Sequence, residues 1–323
     1  MKKISFGICC YNEVDNVRQM YESITREIVK FPEYDYDIVF SDNASEDGTQ
    51  EVLRDIASHD KRVKVIINQI NFGIDKSTVN CIKHLDGDAV VCLTCDFQDP
   101  PEMIPQFIEK WKEGYDVVWG QKTESDENKV KRACRSIYYD IINSLSEVKQ
   151  IKQVIGFGLM DRMVVKTILT EMEQDPYVHF RHLVPEYGFK IYLIPYRQRE
   201  RRYGKSSYNL KRYFSFALTS LCNTSIKPLR MMTVIGMMTA FVSIVVAIFY
   251  LVYKLTHWYT FDAGMAPIVI GLFFVAAVQL FCIGILGEYI GILIRRVTKQ
   301  TLVVEKEKIN FEEEDGDEQI IGK

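Results

Sequence analysis

The signatures missing from this 323-residue sequence narrow it first. No G-x-G-x-x-G follows the first strand-like run and no G-x-x-x-x-G-K-[ST] occurs anywhere, which removes the dinucleotide fingerprint and the P-loop. H-E-x-x-H and G-x-S-x-G are missing as well, so neither a zinc-peptidase helix nor a nucleophile elbow is present. The five histidines are dispersed and read as surface or packing residues. The eight cysteines show no metal spacing: Cys9 and Cys10 are adjacent, Cys92 and Cys95 lie around a predicted strand end, and the rest are scattered in apolar runs. Buried free thiols in a reducing compartment are expected, not a disulfide framework. Neither sign of charge dominates, since 40 Lys and Arg stand against 43 Asp and Glu, and a general nucleic-acid binder is excluded. The opening "MKKISFGICCYNE" has an apolar run too short for a signal peptide. Beyond Glu305 the chain is acidic and without apolar periodicity, which predicts a mostly solvated, disordered tail.

Two long apolar runs are present. Met231 to Tyr253, "MMTVIGMMTAFVSIVVAIFYLVY", and Met265 to Gly287, "MAPIVIGLFFVAAVQLFCIGILG", contain no charge. Each exceeds the roughly 20 residues needed to cross a hydrocarbon layer of about 30 Å. Core helices of a soluble protein seldom stay apolar on every face for that length, so a membrane hairpin is the expectation. Arg212, Lys227 and Arg230 precede the first run, and Arg295, Arg296 and Lys299 follow the second. Only "KLTHWYTFDAG", with one lysine, lies between them. The positive-inside rule then predicts both chain ends in the cytoplasm and this short loop outside.

Before residue 200, short β-branched runs alternate with helical patterns: "ISFGICC", "DIVFSD", "VKVIIN", "AVVCLTCD" and "YDVVWG", each followed by an amphipathic or turn-rich stretch. That alternation, with near-continuous apolar strands, predicts an α/β fold with a mostly parallel sheet covered on both faces. Ligands of such sheets gather at the carboxyl ends of the strands. Those ends are polar here: Tyr11-Asn12-Glu13, Asp42, Asn71-Phe72-Gly73, Asp96 and Gln121-Lys122. Asp42 stands where nucleotide-binding sheets place an acid against a ribose or base, although alone it also suits a turn. Further on, Leu210, Tyr213, Phe214, Ala217, Leu218 and Leu221 share one helical face just before the first apolar run. An interfacial helix among headgroups is expected there, with a helix packed on the domain as the alternative. Basic residues are dense from Lys122 to Arg135 and from Arg197 to Arg212.

Together "CYNE", "DNASEDGT", "NFG", "GDAVVCLTCDFQDPPEMIPQFIEKWKEGYDVVWG", "GFGLMDR" and "RERRYGKSSY", followed by two spans, resemble the family 2 glycosyltransferases of GT-A fold. The likeness is to their polyprenyl-phosphate branch, the dolichyl-phosphate mannose synthases and bactoprenol glucosyltransferases, and runs from Ile4 to about Arg296. It implies a cytosolic GT-A domain over 1–205 with a Rossmann-like sheet, an amphipathic juxtamembrane segment over 206–230, a two-span hairpin over 231–294 and a cytosolic acidic tail over 295–323. It implies a nucleotide sugar donor, UDP-linked for preference, and a polyprenyl phosphate acceptor at the cytoplasmic membrane face, with inversion at the anomeric carbon. Tyr11, Asn12, Glu13 and Asp42 would line the nucleoside pocket, and Asp96 and Gln98 would face Mg²⁺ or Mn²⁺ on the diphosphate. Lys122, Arg132, Ser136 and Arg202 match phosphate-holding positions, and Lys205 and Ser206 belong to the same loop. Asp96, Lys122 and Arg202 would carry the catalysis. Self-association in the membrane is a further expectation.

One position departs from the family. Thr94 stands where the first acid of D-x-D usually is, so the turn reads Thr94-Cys95-Asp96. Mg²⁺ commonly takes one or two carboxylates and completes its shell with substrate phosphate and water, which makes the loss tolerable. A metal-independent variant using Lys122 and the arginine-rich loop stays open. A phosphate acceptor is already ionised and needs positioning, not a general base. The one base candidate after "GFGLM", Asp161, serves equally well as the N-cap of a helix beginning "RMVVKTIL". Two other readings remain: a glycan synthase with a hydroxyl acceptor, and a catalytically silent membrane scaffold.

Overall fold

A computed structural model describes residues 1–124, 151, 153–174, 180–199, 226–257, 265–297 and 303–311. These fall into two compact units, a sheet with its helices and a pair of long apolar helices.

The first unit is an eight-stranded sheet. Strands β1 (Lys2–Cys10), β2 (Tyr34–Asp42), β3 (Val63–Asn68), β4 (Ala89–Thr94), β5 (Val117–Glu124), β6 (Val154–Asp161), β7 (Ile191–Arg197) and β8 (Glu305–Ile309) lie in the order β7-β5-β6-β4-β1-β2-β3-β8. Only β6 and β8 run antiparallel to their neighbours. Helices α1 (Val14–Ile28), α2 (Thr49–His59), α3 (Ile74–Lys83), α4 (Ile104–Lys112), α5 (Arg162–Gln174) and α6 (Phe180–Glu186) connect the strands, with a 3₁₀ turn at Pro101–Met103 leading into α4.

The strand residues alternate between two cores. Ile4, Phe6, Ile8, Ile38 and Phe40 face Val17, Met20 and Ile24 of α1, Leu53 and Ile56 of α2, and Phe107 and Trp111 of α4. Cys9, Val39, Ile66 and Val90 face Val79 and Ile82 of α3 and Val164, Val165 and Ile168 of α5. Burial on both faces explains why β1 is apolar almost throughout. Pro101 opens the 3₁₀ turn, where its missing N–H costs nothing.

The expected α/β sheet with parallel strands is present, and three more strands join the five predicted. The stretch "GFGLMD" is β6, inserted antiparallel between β4 and β5. Gly158 within it has φ +145°, and a side chain there would run into the Val118 carbonyl and Trp119. Its glycine serves close strand approach.

The tail expectation is corrected. Residues Glu305–Ile309 form β8, antiparallel to β3, where a disordered tail was predicted. The missing apolar alternation has a physical cause: β8 is an edge strand held mainly by polar contacts. Glu305 accepts from Asn80 Nδ2 (2.6 Å) and lies 2.7 Å from His84 Nε2. Glu307 pairs with Arg54 at 2.7 Å, and Asn310 Nδ2 donates to the carbonyls of Ala57 and Val63.

The second unit contains α7 (Lys227–Thr256) and α8 (Met265–Val297). Leu229–Thr256 and Gly271–Ile294 have mean hydropathies of 2.4 and 2.0 and are long enough to cross a membrane. Almost none of either span is buried, with Phe241 68 % and Phe273 70 % exposed, whereas the core helix of a soluble protein would be covered. The protein is therefore membrane-associated. Helix α7 begins at Lys227, inside the predicted 206–230 segment, whose first twenty residues lie outside the described residues.

Candidate active site

The carboxyl ends of β1, β2, β3 and β4 lie side by side on one rim. Cys10 is in register with Asp42, and Cys9 with Thr94, so the tips of β2 and β4 flank that of β1. At a strand spacing of about 4.8 Å, Asp42 and Asp96 are roughly 10 Å apart across it. Just beyond these three tips the backbone takes a left-handed conformation at non-glycine residues: Asn12 (φ 55°), Ala44 (φ 61°) and Phe97 (φ 57°). Such strain collects at functional sites, where the surroundings hold it in place.

On the β1–β2 side, Tyr11 is 44 % exposed and presents its ring to solvent. The Asn12 N–H donates to Ser45 Oγ (2.8 Å), and its side-chain oxygen accepts from the Glu46 N–H (3.0 Å). Glu13 is buried, and its Oε2 accepts from Asn16 Nδ2 at 2.6 Å. Asp42 is fully buried, and both its oxygens face into the turn that follows. It accepts from the Ser45 hydroxyl (2.5 Å), the Ser45 N–H (3.0 Å) and Gln50 Nε2 (3.1 Å). Burial raises its pKa against the pull of those donors.

Asn43 was not singled out in the sequence, and it joins β2 to the β3–α3 turn. Its amide donates to Asn71 Oδ1 (2.8 Å), while its oxygen accepts from Asn68 Nδ2 (3.1 Å) and the Phe72 N–H (3.0 Å). An asparagine directly after the strand-end acid was the available signal.

At β4, Asp96 is 9 % exposed, and its Oδ1 accepts from the Thr94 hydroxyl (2.9 Å) and the Gln98 N–H (3.2 Å). A second carboxylate, Asp99, went unnoticed in the sequence. It is 1 % exposed and takes the Tyr196 O–H at 2.5 Å, with Thr94 Oγ1 at 3.2 Å. Burial raises the Asp99 pKa, opposed by Tyr196 and by the nearby Lys122 ammonium. Burial and the charge of Asp99 push the Tyr196 phenol up as well. Lys122 on β5 is in register with Tyr196 on β7, which brings it to the same end of the sheet as Asp99.

Beyond Tyr196 the chain is tied to the acidic turn. The Arg199 N–H donates to the Gln98 carbonyl (3.2 Å), Gln198 Nε2 to Gln98 Oε1 (3.4 Å), and Arg199 pairs with Glu102 (3.4 Å). Tyr11, Asn12, Glu13, Asp42, Asp96, Gln98 and Lys122 thus share one end of the sheet. Arg132, Ser136, Arg202, Lys205 and Ser206 lie outside the described residues.

Asp161 is elsewhere. It is in register with Ala89 at the start of β4, roughly 17 Å of strand from Thr94. It accepts from Trp111 Nε1 (2.8 Å) and caps α5 through the Met163 N–H (2.9 Å). The N-cap reading holds and the base reading does not, because β6 runs antiparallel and ends at the opposite rim. The described cysteines are free, and all but Cys282 are buried. Burial raises the Cys92 thiol to about 12, as expected of inert core thiols.

Residues 5–169, spanning β1 to α5 and this rim, match the glycosyl transferase family 2 domain. The chain belongs to glycosyl transferase family 2. This family 2 glycosyltransferase is 30 % identical to the bactoprenol glucosyl transferase of Shigella phage SfV over 95 % of this chain and 99 % of that protein. It is 28 % identical to an uncharacterized glycosyltransferase of Synechocystis over 93 % of each. Among solved structures it is similar to glucosyl-3-phosphoglycerate synthase from Mycobacterium tuberculosis, with 16 % identity, a TM-score of 0.44 and coverage of 68 % of this chain and 78 % of that one.

Proposed function

We propose that this family 2 glycosyltransferase moves a monosaccharide from a nucleoside diphosphate sugar, UDP-linked for preference, to polyprenyl phosphate at the cytoplasmic membrane face. The observation that carries this reading is the course of the chain through the sheet. A glycosyltransferase rim on β1–β7 precedes two membrane-length helices, and the chain after them returns to the same sheet as β8. One sheet can take strands from both flanks of a hairpin only if the hairpin crosses the membrane twice, or not at all. The rim and both hairpin ends then share one membrane side, and the basic flanks support the cytoplasm as that side. The full-length similarity to a protein named for bactoprenol as its acceptor supports the lipid.

The exposed Tyr11 ring offers a stacking face for the nucleoside base, with Asn12, Glu13 and Asp42 shaping the wall behind it. Asp96 and Gln98 face the diphosphate. Among the described residues no cluster of three or more His, Cys, Asp or Glu forms a complete metal cage. One rim carboxylate and a neighbouring amide suit a divalent ion shared with substrate oxygens. Asp96 and Gln98 would hold Mg²⁺ or Mn²⁺, which would supply positive charge against the departing diphosphate. Lys122, with Arg202 and its loop, would offset the repulsion between anionic acceptor and anionic donor. The acceptor oxygen forms its bond to the anomeric carbon on the face opposite the diphosphate, whose oxygen leaves with the bonding pair. No proton moves, so no general base is required. The displacement of Asp161 to the far rim supports a phosphate acceptor over a hydroxyl one.

The test is transfer of labelled sugar from UDP- and GDP-linked donors into organic-extractable lipid by the detergent-solubilised chain with added polyprenyl phosphate. Asp96→Ala should reduce turnover by roughly 100-fold or more. Full activity in that variant, or label found only in water-soluble glycan, would overturn the assignment.

A further inference from the structure

The turn that lost an acid at Thr94 keeps a second carboxylate one layer deeper. The Thr94 hydroxyl lies between two acids, 2.9 Å from Asp96 Oδ1 and 3.2 Å from Asp99 Oδ2. Asp99 in turn is anchored by the Tyr196 hydroxyl on β7. The connection runs from β7 through Tyr196, Asp99 and Thr94 to Asp96, with the single Thr94 hydroxyl proton shared between the two carboxylates and closer to Asp96, and three of its four members are below 10 % exposure. Such a chain of buried hydrogen bonds fixes each side chain in one rotamer, which a solvated carboxylate at a strand tip would not have.

Phe97 is the reason such fixing is needed. Its left-handed backbone turns the chain between Asp96 and Gln98, and contacts from outside the turn add to the local ones that Asp96 makes with Thr94 and the Gln98 N–H. Three such contacts come from the end of β7 and the residues just after it: Tyr196 to Asp99, the Arg199 N–H to the Gln98 carbonyl, and Gln198 to the Gln98 side chain. In sequence, β7 is followed by the basic stretch that contains Arg202.

We propose that Asp99, Thr94 and Tyr196 are positioning residues that aim Asp96 at the cation on the donor diphosphate, with Asp99 supplying the negative charge that the turn lacks at Thr94. This rests on the reading of Asp96 as the cation-facing acid. None of the three need touch the sugar. A cation at Asp96 would feel Asp99 as a second, more distant carboxylate, and Thr94 would keep the two acids apart and in register. The carboxylate that relatives are expected to carry at the tip is replaced by one reached through a hydroxyl.

The measurement is Mn²⁺ affinity of the detergent-solubilised full chain, read by electron paramagnetic resonance of free Mn²⁺ in the presence of UDP and, separately, GDP. Thr94→Val, Asp99→Asn and Tyr196→Phe should each weaken Mn²⁺ binding by about tenfold, the scale of a lost hydrogen bond to a charged group. Thr94→Ser keeps the hydroxyl and should stay within about twofold of the unmodified chain. Thermal unfolding of each variant separates positioning from folding, because a purely structural role lowers the Tm while leaving Mn²⁺ affinity of the folded fraction unchanged. If Asp99→Asn fails to fold, the Val and Ser variants at Thr94 carry the comparison. A folded Thr94→Val with unchanged Mn²⁺ affinity overturns the proposal, and so does a Thr94→Ser as weak as Thr94→Val. An unmodified chain that binds Mn²⁺ with neither nucleotide overturns it too. Failure of sugar transfer to lipid would sink the acceptor assignment while leaving the Mn²⁺ comparison intact.

Discussion

Single residues on this rim divide into those that face outward and those that hold the rim in shape. Tyr11 and Asp96 were legible in the sequence because strand-end polar residues stand out against apolar strands. Asn43, Asp99 and Tyr196 were not, since each is anchored by a partner 25 to 97 positions away, and the one short-range contact, Thr94 to Asp99, pairs residue types common in any turn. Asp42 was legible as a strand-end acid but not in its orientation, which the Ser45 and Gln50 contacts decide. Asn43 gives the most direct test at this scale. It is 5 % exposed and makes three side-chain hydrogen bonds across two strand ends. Asn43→Ala removes the acceptor of the Phe72 N–H and leaves the Asn68 amide only its longer bond to Ser77 Oγ (3.3 Å), and should cost about 2 kcal/mol of stability by urea unfolding. Nucleotide affinity should fall with it, because the β3–α3 turn loses its tie to the rim. An Asn43→Ala protein as stable as the parent would mean that the turn is held by its backbone alone.

Among the elements, β8 departs furthest from what its sequence suggests. Parallel strands β1 to β5 could be placed from apolar runs and turn residues, because burial on both faces leaves a strong signal. An edge strand with one exposed side leaves almost none, and "EKEKI" reads as solvated tail until its partners are known. Those partners make a pH prediction. Burial tends to raise the Glu305 pKa, but donors from His84, Asn80 and Lys308 outweigh it and hold the group at about 2, against a reference of 4.5. A depressed carboxylate stabilises the fold fully above its unfolded pKa and loses that contribution as pH falls through the folded one. The stability Glu305 provides should therefore be intact at neutral pH and fade from about pH 4.5 down towards 2. Glu305→Gln should lower the Tm at pH 7 and flatten its decline across that acid window. Equal slopes for the two proteins would show that β8 is not held through this carboxylate. The neighbouring Arg54–Glu307 pair is more exposed, and its loss should cost only about 0.5 kcal/mol. Ending the chain after Gln300 is a harsher test. It would uncover the β3 edge, whose Val63, Val65, Ile66 and Ile67 are fully buried, and should produce aggregates in size exclusion.

For the whole molecule, the order of strands along the chain constrains how it meets the membrane. Composition revealed two spans, because two stretches of more than twenty uncharged residues have few other uses. Flanking charge alone bears on which side the ends face, whereas the sheet bears on whether the two ends share a side. Strand β8 follows α8 in sequence and still pairs with β3, which precedes α7. A single crossing would put β3 and β8 on opposite sides of the bilayer and forbid the pairing. Cysteine accessibility tests this without relying on catalysis. In sealed right-side-out vesicles a membrane-impermeant maleimide should label Asp262→Cys, in the loop between the spans, and leave Lys306→Cys on β8 untouched. Inverted vesicles should give the reverse, with the surface residue Arg18→Cys on α1 following Lys306→Cys in both. The six described native cysteines offer little interference, since five are buried and Cys282 lies within a span. Labelling of Asp262→Cys and Lys306→Cys from the same side would mean that the hairpin dips into the membrane without crossing it. Opposite labelling of Arg18→Cys and Lys306→Cys would break the sheet argument itself, and with it the placement of the rim at the inner surface.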